Sequence, residues 1–184
     1  MTPSLPDPGE IVAFWRAAGP SRWFKRDDAF DAAFSARFME AHHAAARREL
    51  EDWMASAEGA LALLILLDQF PRNAFRGSAH AYATDALARH YAARMVEAGL
   101  DAQVEAGLRV FCYLPFEHSE ELADQERSMA LFRALGDVGY LRYAEAHRDA
   151  IARFGRFPQR NRALGRATTP EEQAWLDAGG GFGG

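Results

Sequence analysis

The stretch that most constrains this chain is Ala60 to Leu67, eight residues that are apolar on every side. A helix with that pattern has no face to offer water, so it is expected at the centre of a bundle, covered all round by other elements. At eight residues it falls far short of the roughly 20 that cross a bilayer. Elsewhere apolar residues recur three and four apart, and no stretch alternates for long enough to make a strand. The expectation is an all-α fold: a compact bundle of about seven antiparallel helices, one of them buried at the centre. Residues 1–184 are read as a single domain, with 1–9 and 179–184 as loose tails. A chain of 184 residues with 49% apolar content can bury a core of its own.

Individual helices follow from periodicity and end signals. Phe30, Phe34 and Phe38 lie four apart and stripe a long helix from about Asp28 to Trp53. Leu87, Tyr91 and Met95 do the same from about Ala79 to Ala98, before Gly99. Val104, Leu108 and Phe111 predict a helix begun by Asp101. Ser119 predicts the start of another that runs to Gly136, and a further stripe from Tyr140 ends at Gly155. Thr169, Pro170 and Glu172 have the spacing of a capping box at a last, short helix.

Composition narrows the function classes. Of 21 basic residues 20 are Arg, and Lys25 is the single lysine. Arginine offers a planar fork that grips carboxylate or phosphate, which lysine does not. Where each Arg falls therefore matters more than the total. A formal charge of -5 argues against a nucleic-acid or membrane-surface binder. One cysteine, Cys112, excludes an internal disulfide and suits a reducing compartment. The start, MTPSLPDPGE, has no basic segment before an apolar one, so a cytoplasmic location is expected.

Three segments place charge beside aromatics and prolines at helix ends. In LDQFPRNAFRG, Leu67 to Gly77, Asp68 closes the all-apolar helix; its burial would demand a partner, and Arg72 and Arg76 are near in sequence. Pro71 disfavours helical geometry at Phe70, which leaves an Asp68 to Arg72 pair open. In RVFCYLPFEHSE, Arg109 to Glu120, Glu117 and His118 follow a proline turn. In RFGRFPQRNRALGR, Arg153 to Arg166, there are five Arg and no acid. Gln125 and His147 each interrupt an apolar face, where a satisfied core hydrogen bond is the ordinary explanation.

These segments, with Phe14 and Trp15, Trp23 and Phe24, Asp31, Arg37 and Phe38, Gln125 and the TPEE near the end, resemble the bacterial domain-of-unknown-function family numbered 924. The resemblance runs from about Glu10 to Gly181. It implies an all-helical fold grouped with the tetratricopeptide-like superfamily, though no 34-residue repeat is present in the residues. It implies no reaction. The chain departs from the family pattern at Gln159, where His is expected; a metal or proton-transfer role there is correspondingly weaker.

Two functional readings follow. In one, the three segments converge on a pocket for a small anion, with Arg72, Asn73, Arg109, Arg156, Arg160 and Asn161 as ligand-binding groups. His118, Glu117 and Asp68 are then the candidate acid and base residues, since His titrates near neutral pH. In the other, the chain is a helical module for a peptide or protein partner, and the polar segments are a salt-bridge network that locks helix ends. No HExxH, phosphate loop, nucleophile elbow or dinucleotide fingerprint is present, and no metal or cofactor is expected.

Overall fold

A computed structural model describes residues 5–182, and among them every regular element is helical. The order is α1 (Pro8–Ala18), α2 (Pro20–Trp23), α3 (Asp28–Ala46), α4 (Ala57–Leu64), α5 (Phe70–Ala74), α6 (Asp85–Glu97), α7 (Val110–Glu117), α8 (Leu122–Leu135), α9 (Val138–Phe154) and α10 (Pro170–Asp177). No helix among the described residues is long and apolar enough to cross a membrane.

The apolar segment is enclosed as its pattern requires. Every residue from Ala60 to Gln69 is buried, and α4 is packed between α1, α6 and α7. The stripe Phe30, Phe34, Phe38 on α3 meets Phe14 and Trp15 of α1, while Phe34 also stands edge-on to Phe70 with ring centroids 5.0 Å apart. Helices α8 and α9 are joined through Gly136 and Asp137 alone and pack along their lengths. Gly136 and Gly155 end α8 and α9 in the left-handed conformation, and Thr169 with Glu172 forms the capping box of α10.

Several boundaries differ from the periodicity. The helix expected to reach Trp53 stops at Ala46, because Arg48 takes a positive φ and the chain resumes as a 3-10 turn, Glu51–Ala55. Helix α6 begins at Asp85, after a separate 3-10 turn at Ala79–Tyr82. Asp101 opens only a 3-10 turn, and its carboxylate instead accepts the Tyr113 hydroxyl. The next α-helix starts at Val110 and runs straight through Pro115, where a turn was expected. Ser119 does not cap α8; it lies two residues before the N-cap Glu121 and bonds its backbone N–H.

Parts of the two expected tails fall within the described residues. Asp7 and Glu10 form a capping box on α1, so Pro8 and Gly9 are already helical. Phe182 lies on the His147 ring, with centroids 3.6 Å apart. Residues 1–4 and 183–184 of the expected tails lie outside the described residues.

Candidate functional site

The centre of the site is built by a break in helical regularity. Pro71 has no N–H and its ring would collide with the carbonyl four residues back. The backbone answers with one wide π turn, Ile65–Gln69, in which the Phe70 N–H bonds to the Ile65 carbonyl. Phe70 thereby stays helical despite the proline that follows it. The Leu67 carbonyl, which Pro71 cannot serve, accepts the Thr84 hydroxyl instead. The turn keeps Asp68 and Arg72 on one face, and the open question of their pairing is answered: Arg72 Nη1 lies 3.1 Å from Asp68 Oδ1.

Asp68 has no exposed surface, and both of its oxygens are partnered. Oδ1 accepts from His118 Nδ1 at 2.7 Å, and Oδ2 from the Gln69 amide at 2.6 Å. Burial alone would raise its pKa, but the Arg72 and His118 charges and hydrogen bonds outweigh burial and hold it at about 2. Because Asp68 is ionised, the proton between it and His118 sits on Nδ1. Nε2 of His118 then carries the lone pair, and no described residue bonds to it. Burial, with the nearby Arg72 charge, pushes the His118 pKa below its usual value, so the ring is neutral near pH 7.

One residue earlier, Glu117 closes α7 and points to the same space. It is 4% exposed and lines a cavity, and no described residue hydrogen-bonds to its carboxyl oxygens. His147 Nδ1 approaches Oε1 at 3.3 Å, but its proton goes to the Tyr143 carbonyl at 2.8 Å. Burial, assisted by the Asp68 charge, raises Glu117 to about 8 and keeps it protonated at neutral pH. His147 is driven by burial to about 3 and is neutral as well.

These groups face a cavity of about 420 Å³. One wall is polar: Gln69, Arg72, Asn73, Glu117, His118, His147 and Arg160. The opposite side is aromatic and apolar, with Trp23, Phe24, Leu114, Tyr140 and Tyr143, and Lys25, Arg26 and Arg76 also contribute. Arg72 is fully committed through its two terminal nitrogens, which grip both oxygens of Asp85 at 2.8 and 3.0 Å. Arg160 is not. Its one side-chain hydrogen bond among the described residues is a long one, 3.3 Å from Nη1 to Asp85, and the residue lines the cavity. The side chain is 9% exposed and lies against the Tyr82 and Phe157 rings, and burial lowers its pKa to about 10.

The sequence candidates thus divide. Asp68, Arg72, Asn73, Glu117, His118 and Arg160 come together at or directly behind the cavity wall. Arg109, Arg156 and Asn161 do not. Arg109 donates to the Ala102 and Val104 carbonyls and ties down the loop before α7. Arg156 forks onto Glu172 and Asn161 joins the same carboxylate, an assembly that holds α10 in place. The run of arginines from 153 to 166 is spent largely in this way: Arg153, Arg156, Arg160 and Arg166 pair with Glu171, Glu172, Asp85 and Glu120. Arg76 and Asn73 both hold Asp31 of α3.

Residues that sequence reasoning did not single out as site groups are His147, Lys25 and the aromatics Tyr82, Tyr140, Tyr143 and Phe182. His147 has the core hydrogen bond expected of it, yet it also lines the cavity. Gln125 is wholly a core group, its amide donating to the Glu117 and Ser119 carbonyls and so fixing the end of α7. The one usable signal for Lys25 was its being the only lysine beside Trp23 and Phe24. Among the described residues no three His, Cys, Asp or Glu side chains are grouped so as to hold a metal ion.

Comparison with known proteins agrees with the resemblance seen in the residues. A solved structure titled as a protein of unknown function from Agrobacterium tumefaciens shares 55% identity, covering 93% of this chain and 97% of its own, with a TM-score of 0.90. No match was found among curated proteins. The family model described as "Bacterial protein of unknown function (DUF924)" matches residues 11–180 and therefore spans both walls of the cavity. With nearly the whole chain matched, this protein belongs to that family.

Proposed function

We propose that this protein binds a small anion with an apolar or aromatic body in the cavity between α2, α5, α7 and α9. The observation that carries the reading is Arg160: a guanidinium almost wholly removed from water that lines the cavity and whose one hydrogen bond among the described residues is the 3.3 Å contact to Asp85. A charge so placed is costly unless an anion completes it. Lys25 lines the same cavity, as do Arg26, Arg72 and Arg76, which are paired with Asp28, with Asp68 and Asp85, and with Asp31; the one carboxyl among the lining residues, Glu117, is protonated near pH 7. The aromatic half supplies a surface for a ring or chain attached to the anionic group.

Thermal shift measurements with phenyl phosphate, inorganic phosphate and benzyl alcohol test this directly. Phenyl phosphate combines both features and is expected to raise the melting temperature most; a concentration 100 times Kd adds about 2.7 kcal/mol of stability. Arg160→Gln should remove most of that rise, and Lys25→Gln, at an exposed position, should weaken it while leaving the unliganded melting temperature unchanged. Equal shifts with benzyl alcohol, or none with any anion, would rule the reading out.

A further inference from the structure

We propose that the cavity is a proton-transfer site, in which His118 acts as general base and Glu117 as general acid on a carbonyl compound that bears the anionic group. This rests on the anion-binding reading above and adds chemistry to it. Geometry supplies the argument. Asp68, enclosed and itself held by Arg72 and Gln69, fixes the His118 ring through a 2.7 Å bond to Nδ1. That bond sets the tautomer and leaves the Nε2 lone pair on the cavity side. The adjacent Glu117 carboxyl is all but buried, lines the same cavity and makes no hydrogen bond with any described residue. Base and acid are therefore both in the protonation state their roles need, side by side at the end of one helix. Their opposite environments agree, the carboxyl being kept protonated and the imidazole neutral.

The lining residues also narrow the reaction class. They include no serine, threonine or cysteine, so no hydroxyl or thiol of the ordinary nucleophilic kind is in reach of a bound molecule, and Lys25 sits among exposed residues. Proton removal next to a carbonyl needs no nucleophile. It needs one base for the C–H proton, one acid for the carbonyl oxygen and a grip on the rest of the molecule. In a 2-oxo acid with an aromatic ring, the carboxylate would meet Arg160 and the ring would meet Trp23, Phe24, Tyr140 or Tyr143. His118 Nε2 then takes a proton from C3, and the C–H electron pair forms the C2–C3 double bond. The carbonyl π pair moves to oxygen, which takes the Glu117 proton. The product is the enol, with imidazolium and carboxylate left on the protein. Return of the proton from His118 to Glu117 through solvent restores the starting state, with no oxidant or reductant required.

Phenylpyruvate in D2O is the test, with loss of its C3 proton signal followed by NMR and binding followed by thermal shift on the same samples. The intact protein is expected to bind it and to accelerate exchange over buffer. His118→Ala and His118→Gln are expected to lower the protein-dependent rate by about 100-fold or more while phenylpyruvate still raises the melting temperature. Asp68→Asn should change the pH profile of exchange, because it alters the His118 tautomer and not the ligand contacts. Binding without accelerated exchange would overturn proton transfer and leave the anion site standing. Exchange that persists in both His118 variants, or release of phosphate from phenyl phosphate in place of exchange, would overturn the assignment. Failure of both phenylpyruvate and phenyl phosphate to bind would remove the anion site and this proposal together.

Discussion

At the scale of single residues, the same side-chain chemistry serves two purposes that only partnership separates. Asp68 and Glu117 are both buried carboxyls, yet Asp68 has partners for both oxygens and is ionised, whereas Glu117 faces the cavity without a hydrogen bond from any described residue and keeps its proton. Replacing Asp68 by Ala orphans the Gln69 amide and His118 Nδ1 and leaves Arg72 short of one carboxylate. The expected loss is about 3–5 kcal/mol, the usual cost of removing one partner of a buried charge pair. His118→Ala leaves Asp68 held by Arg72 and Gln69 and should cost less, about 1–2 kcal/mol. Denaturant unfolding of the two variants checks the order; an unchanged midpoint for Asp68→Ala, or a larger loss for His118→Ala, contradicts it. That Asp68 needs a partner was legible from its place on an all-apolar helix. That Arg160 has donors to spare was not, because the sequence shows five arginines within 14 residues and no hint of which carboxylates reach them.

Among the elements, the caps and periodicities were read well where they act locally and poorly where the chain is bent by packing. Gly136, Gly155 and the Thr169 capping box end or begin helices as expected, since each acts within one turn. The segment 101–117 departs from its local signals at both ends: Asp101 opens only a 3-10 turn, and Pro115, which signals a turn, is absorbed in α7, a helix whose residues are all buried. At 65–71 the signals conflicted, and a π turn resolved them by widening the helix rather than ending it. Gly59 marks another close approach. It lies in α4, and a Cβ there would press against the Trp53 carbonyl oxygen of the preceding 3-10 turn, which is backbone and cannot swing aside. Gly59→Ala is therefore expected to destabilise by about 1–3 kcal/mol, in spite of the better helix propensity of alanine. A melting temperature equal to or above that of the original protein would contradict that close approach.

For the whole molecule, the titrating groups around the cavity predict an unusual pH dependence. His147, held at about 3, and His118, held below 6.5, stay neutral in the fold where the unfolded chain protonates them. The unfolded state then binds more protons, so stability falls as pH drops below about 6.5, and Asp68, held at about 2, adds to the loss below its ordinary value of 3.8. Glu117 works in the opposite sense, keeping its proton in the fold up to about 8 while the unfolded chain loses it near 4.5. Between 4.5 and 6.5 two histidines oppose one carboxyl; above 6.5 only Glu117 remains, and stability declines towards pH 8. Arg72, Arg160 and Asp85 face these groups, and the two arginines stay charged through that range. Melting temperature is expected to peak near pH 6.5, and Glu117→Gln should flatten the alkaline side; a continuous rise from pH 6.5 to 8 would show that Glu117 is ionised in the fold. The amino-acid sequence by itself determined the all-helical class, the enclosed position of Ala60 to Leu67, the helix ends at Gly136, Gly155 and Thr169 and the family, because periodicity and caps act over a few residues. Tertiary structure alone decided the site. The Asp85 that binds Arg160 lies 75 positions away, and the Asp68 that orients His118 lies 50 away. At such separations no spacing rule operates, and burial, which makes one carboxyl an ion and its neighbour an acid, exists only once the helices have closed around both.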